Sequence, residues 1–167
     1  MKSIKKFADK KKYFLKIENI YFFLIILIIF FLDRYFKIKI INDFSEDIVF
    51  VNNFINFDLI WNTGIGFGLL SFDSTIIYNI ISVIIGIVIL TLFYMAIISK
   101  KFDKFVFSII IGGAIGNFYD RLTLNAVPDF IDLHYENFHW FTFNAADIFI
   151  TFGIITFIVR GFFVNND

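Results

Sequence analysis

The chain has 167 residues, of which 59% are hydrophobic and only 18% are charged, and its mean hydropathy is +0.79. A soluble domain carries about a quarter charged residues. Because the apolar excess here lies in long runs, the composition excludes an ordinary soluble protein and indicates an integral membrane protein. The net charge of zero gives no reason to expect a nucleic-acid partner, and the absence of cysteine excludes disulfides, a thiolate nucleophile and a cysteine-ligated metal.

The first predicted membrane helix covers about residues 20–40 and follows a basic segment with seven Lys and one Asp in residues 1–16. Such a start can be a cleavable signal peptide, but no small-x-small cleavage site follows, so we predict an uncleaved helix with a cytoplasmic flank. Asp33, Arg34 and Lys37 lie near its far end. Either all three side chains reach the interface, or Asp33 and Lys37, which share a face at i,i+4 spacing, support a polar cavity.

Residues 42–75 lack a helical pattern and are rich in β-branched and aromatic residues broken by Asn. We predict two or three short strands on the membrane surface, with a plain surface loop as the alternative. Gly64, Gly66 and Gly68 follow closely on one another and indicate a tight, closely approached backbone.

Three more apolar runs predict further spans at about residues 76–98, 105–122 and 147–164. Within the third span, Gly112-x-x-x-Gly116 permits close approach of a neighbouring helix. We therefore predict an all-α membrane protein with four transmembrane helices in one domain over residues 1–167.

The distribution of Lys and Arg predicts the orientation of these helices. The N-terminal segment and residues 99–104 are rich in Lys, whereas residues 42–75 have neither Lys nor Arg and residues 121–146 have only Arg121. Under the positive-inside rule, both termini are cytoplasmic and both acidic loops lie outside.

Four carboxylates, those of Asp120, Asp129, Asp132 and Asp147, lie near the boundary between apolar and polar stretches. An ionised carboxylate is costly there and usually has a function. Two carboxylates in a low-dielectric site share one proton, so that one can activate water while the other acts as an acid. Asp120 and Arg121 are interpreted as a local ion pair that orients the helix end, and spacing does not choose the reacting pair among the other three acids.

Five stretches resemble, in order, the motifs of the lipoprotein signal peptidase family, also called signal peptidase II: Asp33-x-x-x-Lys37, Asn62-Thr63-Gly64 with Phe67-Gly68, GGAIGNFYDRL (112–122), VPDFID (127–132) and FNAAD (143–147). The resemblance implies four transmembrane helices, a small extracytoplasmic β-cradle at about residues 42–75, and a short membrane-surface helix between helices three and four. It also implies an aspartic endopeptidase at the outer face of the bacterial cytoplasmic membrane. That enzyme would remove the signal peptide from diacylglyceryl-modified prolipoproteins by cleaving before the lipidated cysteine.

The resemblance further implies that Asp129 and Asp147 are the catalytic pair. No cofactor or metal is expected, and the expected partners are the prolipoprotein substrate and membrane lipid around a monomer. Two departures from the family pattern are Pro128, whose ring fixes φ beside Asp129, and Gly66, where the family often has Ala or Ser. The residues implied to bind substrate or support the pair are Asp33, Lys37, Asn62, Gly64, Gly116, Asn117, Asp120, Arg121 and Asn144.

Other interpretations stay open at this point. Intramembrane acids and bases also mark ion pathways, so a small membrane transporter or proton-relay protein is the main alternative, and a non-enzymatic membrane assembly factor is another. His134 and His139 are expected to be solvated loop residues, not metal ligands. Trp61 and Trp140 are expected at the membrane interface.

Overall fold

The computed structural model describes residues 17–44, 48–64 and 75–164. The N-terminal basic segment and the positions of Gly66, Phe67 and Gly68 lie outside these residues. The described chain forms four helices and four strands: α1 (Ile17–Asp43), β1 (Val49–Asn52), β2 (Ile55–Asn62), α2 (Thr75–Ile98), α3 (Lys101–Thr123), β3 (Val127–Tyr135), β4 (Phe138–Phe143) and α4 (Ala145–Val164).

Each of the four helices overlaps one of the predicted spans. Two of them, Ile76–Ile98 in α2 and Ala145–Phe163 in α4, are long and apolar enough to cross a bilayer, and only 22% and 11% of their most apolar stretches are buried inside the protein. The core helix of a soluble protein would be mostly buried, so these apolar faces are consistent with contact to lipid. That all four helices cross the membrane stays a prediction.

Helix α3 lies at the centre of the bundle and packs against α1, α2 and α4. Small residues allow this close packing. A Cβ on Gly112 would lie 2.8 Å from the Ile29 Cβ atom of α1, and one on Gly113 would lie 2.6 Å from the Ala146 carbonyl oxygen of α4. The predicted close approach at Gly112-x-x-x-Gly116 is therefore confirmed, and α3 uses Gly113 in the same way against α4.

The four strands form one antiparallel sheet in the order β1-β2-β3-β4. The predicted strands within residues 42–75 are confirmed as β1 and β2. The short surface helix expected between helices three and four is wrong, because β3 and β4 occupy that segment and are joined by a tight turn at Glu136, whose φ is 51°. As the strand between β2 and β4, β3 also packs on α1 and α3, so six of its nine residues are buried, including the first four in a row. The alternation typical of a half-buried strand is therefore absent from its first part.

Candidate active site

Most of the polar residues singled out in the sequence meet where the C-terminal halves of α1 and α3 approach the N-terminus of α4 and strands β2 and β3. Asp33, Lys37, Asp120 and Arg121 come from the two helices, Asn62 and Asp129 come from the strands, and Asn144 and Asp147 come from the start of α4. All of these residues are buried except Asp147, which is half-buried.

Four charged side chains form an ionic cluster between α1 and α3: Asp33, Arg34, Lys37 and Asp120. Lys37 Nζ lies 2.9 Å from Asp33 Oδ2 and 2.7 Å from Asp120 Oδ2, and all three side chains are 0% exposed. Arg34 Nη1 lies 2.5 Å from Asp120 Oδ1. The interpretation in which Asp33 and Lys37 reach the interface is therefore wrong, and their support of a polar cavity stays a prediction.

The expected local ion pair between Asp120 and Arg121 is also wrong. Asp120 pairs with the two cations of α1, and Arg121 instead donates from Nη2 to the Gly64 carbonyl oxygen at 2.7 Å. The Arg121 guanidinium lies over the Tyr78 ring at 5.7 Å. From the sequence, Arg34 was considered only as an interface residue, although its place between Asp33 and Lys37 was a signal for the cluster, and Tyr78 was missed.

Gly116 explains how the ionic cluster reaches α4. A Cβ at this position would lie 2.5 Å from Asp33 Oδ2, so only glycine leaves room for this carboxylate against α3. The other oxygen of Asp33 accepts a hydrogen bond from the Ala146 N–H at 3.1 Å. The cluster therefore holds the first turn of α4, where Asp147 lies.

Three asparagine side chains direct their NH₂ groups at Asp129 and Asp147. Asn62 Nδ2 donates to Asp129 Oδ2 at 2.8 Å, and Asn144 Nδ2 donates to Asp129 Oδ1 at 2.5 Å. Asn117 Nδ2 donates to Asp147 Oδ1 at 2.8 Å.

The orientation of each amide is fixed by what its oxygen accepts. The Oδ1 atoms accept from the Gly64 N–H, the Asp147 N–H and the Lys37 ammonium, for Asn62, Asn144 and Asn117 respectively. Because none of these three groups can accept a hydrogen bond, the NH₂ end of each amide must face the aspartates.

Asn144 and Asp147 form a reciprocal cap at the start of α4. The Asp147 N–H donates to Asn144 Oδ1, and the Asn144 N–H donates to Asp147 Oδ2, both at 3.1 Å. This is the capping-box arrangement, which satisfies two of the N–H groups left open at a helix start. Since Asn144 also donates to Asp129, one side chain connects the two aspartates.

Asp129 and Asp147 line the same cavity, which has a volume of about 320 Å³. Burial, followed by the negative charge of Asp147, raises the pKa of Asp129 from 3.8 to about 7. The cavity is therefore a place where one aspartate keeps a proton near neutral pH. Its other walls are polar at Asn62, Asn117, Arg121, Asn144 and Thr151, and apolar at Ile85, Ala114, Val127, Ile150 and Ile154.

Pro128 lies within the paired part of β3, and the register of β2 against β3 shifts between Phe57 and Ile60, next to Asp129. The pairing of β2 with β3 runs on through Trp61 opposite Pro128 to Ile60 opposite Asp129, and Pro128 itself is fully buried. The departure from the family pattern beside Asp129 is therefore accommodated within an ordered strand.

The remaining acid, Asp132, lies outside the cavity. Its Oδ2 atom is 2.7 Å from His139 Nδ1 and 3.6 Å from His134 Nδ1. His139 is exposed as expected, but His134 is buried on β3, which contradicts the expectation of a solvated loop residue. Among the described residues, no group of three His, Asp, Glu or Cys side chains is placed to hold a metal ion.

Comparison with known proteins identifies the family. The family model described as signal peptidase (SPase) II matches residues 25–163. The chain belongs to the signal peptidase II family. As a member of that family it is an aspartic protease.

Individual relatives agree with this assignment. The chain is 46% identical over 157 residues to the lipoprotein signal peptidase of Pelagibacter ubique (strain HTCC1062), a match that covers 91% of this chain and 94% of the relative. It is 42% identical over 152 residues to that of Francisella tularensis subsp. novicida (strain U112), covering 87% and 93%. A solved bacterial membrane enzyme superposes with a TM-score of 0.70 at 30% identity, covering 83% of this chain and 85% of the other. The membership decides against the transporter and assembly-factor alternatives.

Proposed function

We propose that Asp129 and Asp147 are the catalytic dyad with which this signal peptidase II removes signal peptides from diacylglyceryl-modified prolipoproteins, cleaving before the lipidated cysteine. One observation carries the proposal. Buried Asp129 and half-buried Asp147 come from different elements, line one cavity and are connected through Asn144. Neither has a cation within direct hydrogen-bond distance among its described partners. Acids that are structural ion pairs, such as those of the ionic cluster, lack this arrangement.

The chemistry follows from the shared proton. A water between the two carboxyl groups is deprotonated by the ionised one as it attacks the scissile carbonyl carbon, and the neutral one protonates the carbonyl oxygen. The resulting gem-diol breaks its C–N bond as the amine leaving group receives a proton. The fixed amides of Asn62, Asn117 and Asn144 hold both carboxyl groups in place through this cycle, so little reorganisation is needed during reaction.

The walls of the cavity suit a substrate that arrives through the bilayer. Ile85 of α2 and Ile150 and Ile154 of α4 form its apolar side, between the two helices that are long and apolar enough to span a membrane. We propose that the signal helix lies against these residues while the scissile bond reaches the dyad at the outer interface. The proposed placement has both termini in the cytoplasm, the protein in the bacterial cytoplasmic membrane, and a monomer as the active unit.

The test is cleavage of a lipidated precursor by purified protein in detergent. Asp129→Asn and Asp147→Asn are each expected to reduce cleavage by at least about 10³-fold, because each removes an acid–base group. Asp132→Asn is the matched control, since this acid is also buried but lies outside the cavity. If both dyad variants cleave at the rate of the control, the catalytic assignment is wrong.

A further inference from the structure

The two aspartates of the proposed dyad have different neighbours, and this difference separates their roles. We infer that Asp129 holds the resting proton and is the general acid, whereas Asp147 is the ionised carboxylate that activates water. The inference rests on the proposed function, and it goes further by assigning each residue its protonation state before the reaction and its part in the attack on the carbonyl.

The charges around the cavity balance when one carboxylate of the dyad is ionised. Within the ionic cluster, Asp33 and Asp120 are matched by Arg34 and Lys37. Among the described residues that line the cavity, Arg121 is the only cation, so the formal charge of the lining is zero when one aspartate is ionised. Helix α2 contributes an apolar wall. A second ionised aspartate would leave an uncompensated negative charge in a buried site, which is costly.

The partners of Asp147 stabilise a negative charge. It lies in the first turn of α4, where the helix has a partial positive charge, and Asp147 Oδ2 accepts the Asn144 N–H. Its Oδ1 accepts from Asn117, whose own oxygen is held by the Lys37 ammonium at 2.7 Å. The positive charge of Lys37 polarises this amide, so its N–H groups are stronger donors to a carboxylate.

The partners of Asp129 are weaker in this respect. It lies on a strand and not within a helical turn, and it contacts the start of α4 only through the side chain of Asn144. Its two donors are the neutral amides of Asn62 and Asn144, whose oxygens are held by backbone N–H groups. A neutral carboxyl group still accepts such hydrogen bonds and has its own O–H to donate into the cavity.

The assigned roles give a balanced reaction. Asp147 takes a proton from water, the hydroxide oxygen bonds to the carbonyl carbon, and Asp129 gives its proton to the carbonyl oxygen. Asp147 then returns its proton to the leaving nitrogen as the C–N bond breaks, and Asp129 recovers a proton from one gem-diol hydroxyl. The products are a carboxylic acid and an amine, and the dyad is back in its starting state.

Infrared difference spectroscopy of the purified full chain can locate the proton directly. At about pH 6, below the raised pKa of Asp129, the wild type is expected to show the C=O band of a neutral carboxylic acid, assigned by ¹³C labelling of aspartate. The band should be lost in Asp129→Asn. It should be kept in Asp147→Asn when that variant is measured at about pH 5, because loss of the Asp147 charge lowers the pKa of Asp129 while burial still raises it. The opposite pattern, a band kept in both variants, or no band in the wild type would each overturn the inference.

A pH profile of kcat/KM gives a second readout in variants that keep both aspartates. Asn117→Leu removes a donor to the base, so the acidic limb should move to higher pH, while Asn62→Leu removes a donor to the acid, so the alkaline limb should move to higher pH. If Asn117→Leu instead moved the alkaline limb and Asn62→Leu the acidic limb, the roles of Asp129 and Asp147 would be reversed. Cleavage by the Asp129→Asn and Asp147→Asn variants distinguishes reversed roles from failure of the proposed function. Full activity in both variants would show that the two aspartates are not the catalytic dyad, whatever the spectra show.

Discussion

The ionic cluster and the aspartate pair beside it use the same residue type in the same buried part of the fold, but their partners differ. Asp33 and Asp120 contact the ammonium and guanidinium groups of α1 directly. Asp129 and Asp147 contact amide and backbone N–H groups. A carboxylate fixed by cations supports structure, whereas a carboxyl group that contacts only neutral donors in a low-dielectric site can gain or lose a proton and is suited to catalysis.

The largest expected effect comes from removing the cation that the cluster shares. Lys37→Met leaves Asp33 and Asp120 with Arg34 alone and frees the oxygen of Asn117, so we expect a loss of about 3–5 kcal/mol in the free energy of unfolding together with loss of cleavage. Thermal unfolding in detergent measures the first effect. Arg160→Met is the matched control, because its pair with Asp103 at 2.7 Å is partly exposed, with 24% of each side chain accessible, and should contribute at most about 1 kcal/mol. Equal losses of unfolding free energy in the two variants would show that the ionic cluster stabilises the fold no more than a partly exposed ion pair does.

The next effect is a dependence of stability on pH that comes from the dyad. The pKa of Asp129 is about 7 in the folded protein and 3.8 as the reference value, so the folded state binds more protons between these values. Stability should therefore fall as pH rises from about 4 to about 7 and stay level above, by up to about 4 kcal/mol from this residue. Asp129→Asn should remove that fall from the unfolding free energies. An identical pH slope in variant and wild type would mean that Asp129 is not perturbed.

Steric contact between α3 and the cluster gives a smaller effect. Gly116→Ala places a Cβ 2.5 Å from Asp33 Oδ2, so the carboxylate must move away from Lys37 and Ala146, and we expect about 1–3 kcal/mol of destabilisation. Gly161→Ala is the control, since a Cβ there meets nothing within 4 Å and alanine favours a helix by about 1 kcal/mol. The melting temperature should fall for Gly116→Ala and rise for Gly161→Ala. An unchanged or raised melting temperature for Gly116→Ala would show that the contact with Asp33 relaxes without cost.

The sequence predicted interactions between residues close together in the chain, but not those between distant residues. The i,i+4 spacing of Asp33 and Lys37 put both on one helix face because helix periodicity is local. Their partner Asp120 lies 83 residues from Lys37, and nothing local separates that pairing from one with the adjacent Arg121. Similarly, β3 is covered by elements distant in sequence, so its residues do not show the alternation of apolar and polar side chains that would have predicted a strand. The positions of Asp129 and Asp147 came from the family resemblance, since spacing left three acids open.

The smallest effect is expected at the third kind of buried carboxyl, that of Asp132. His139 Nδ1 lies 2.7 Å from Asp132 Oδ2, but the His139 side chain is 59% exposed, and solvent can replace a partner in such a position. His139→Gln should therefore change the unfolding free energy by less than about 1 kcal/mol and leave precursor cleavage within about twofold of the wild type, or about 0.4 kcal/mol in barrier height. A tenfold loss of cleavage with an unchanged melting temperature would instead connect Asp132 and His139 to the reaction. The active site would then extend from the cavity to the outer end of β3.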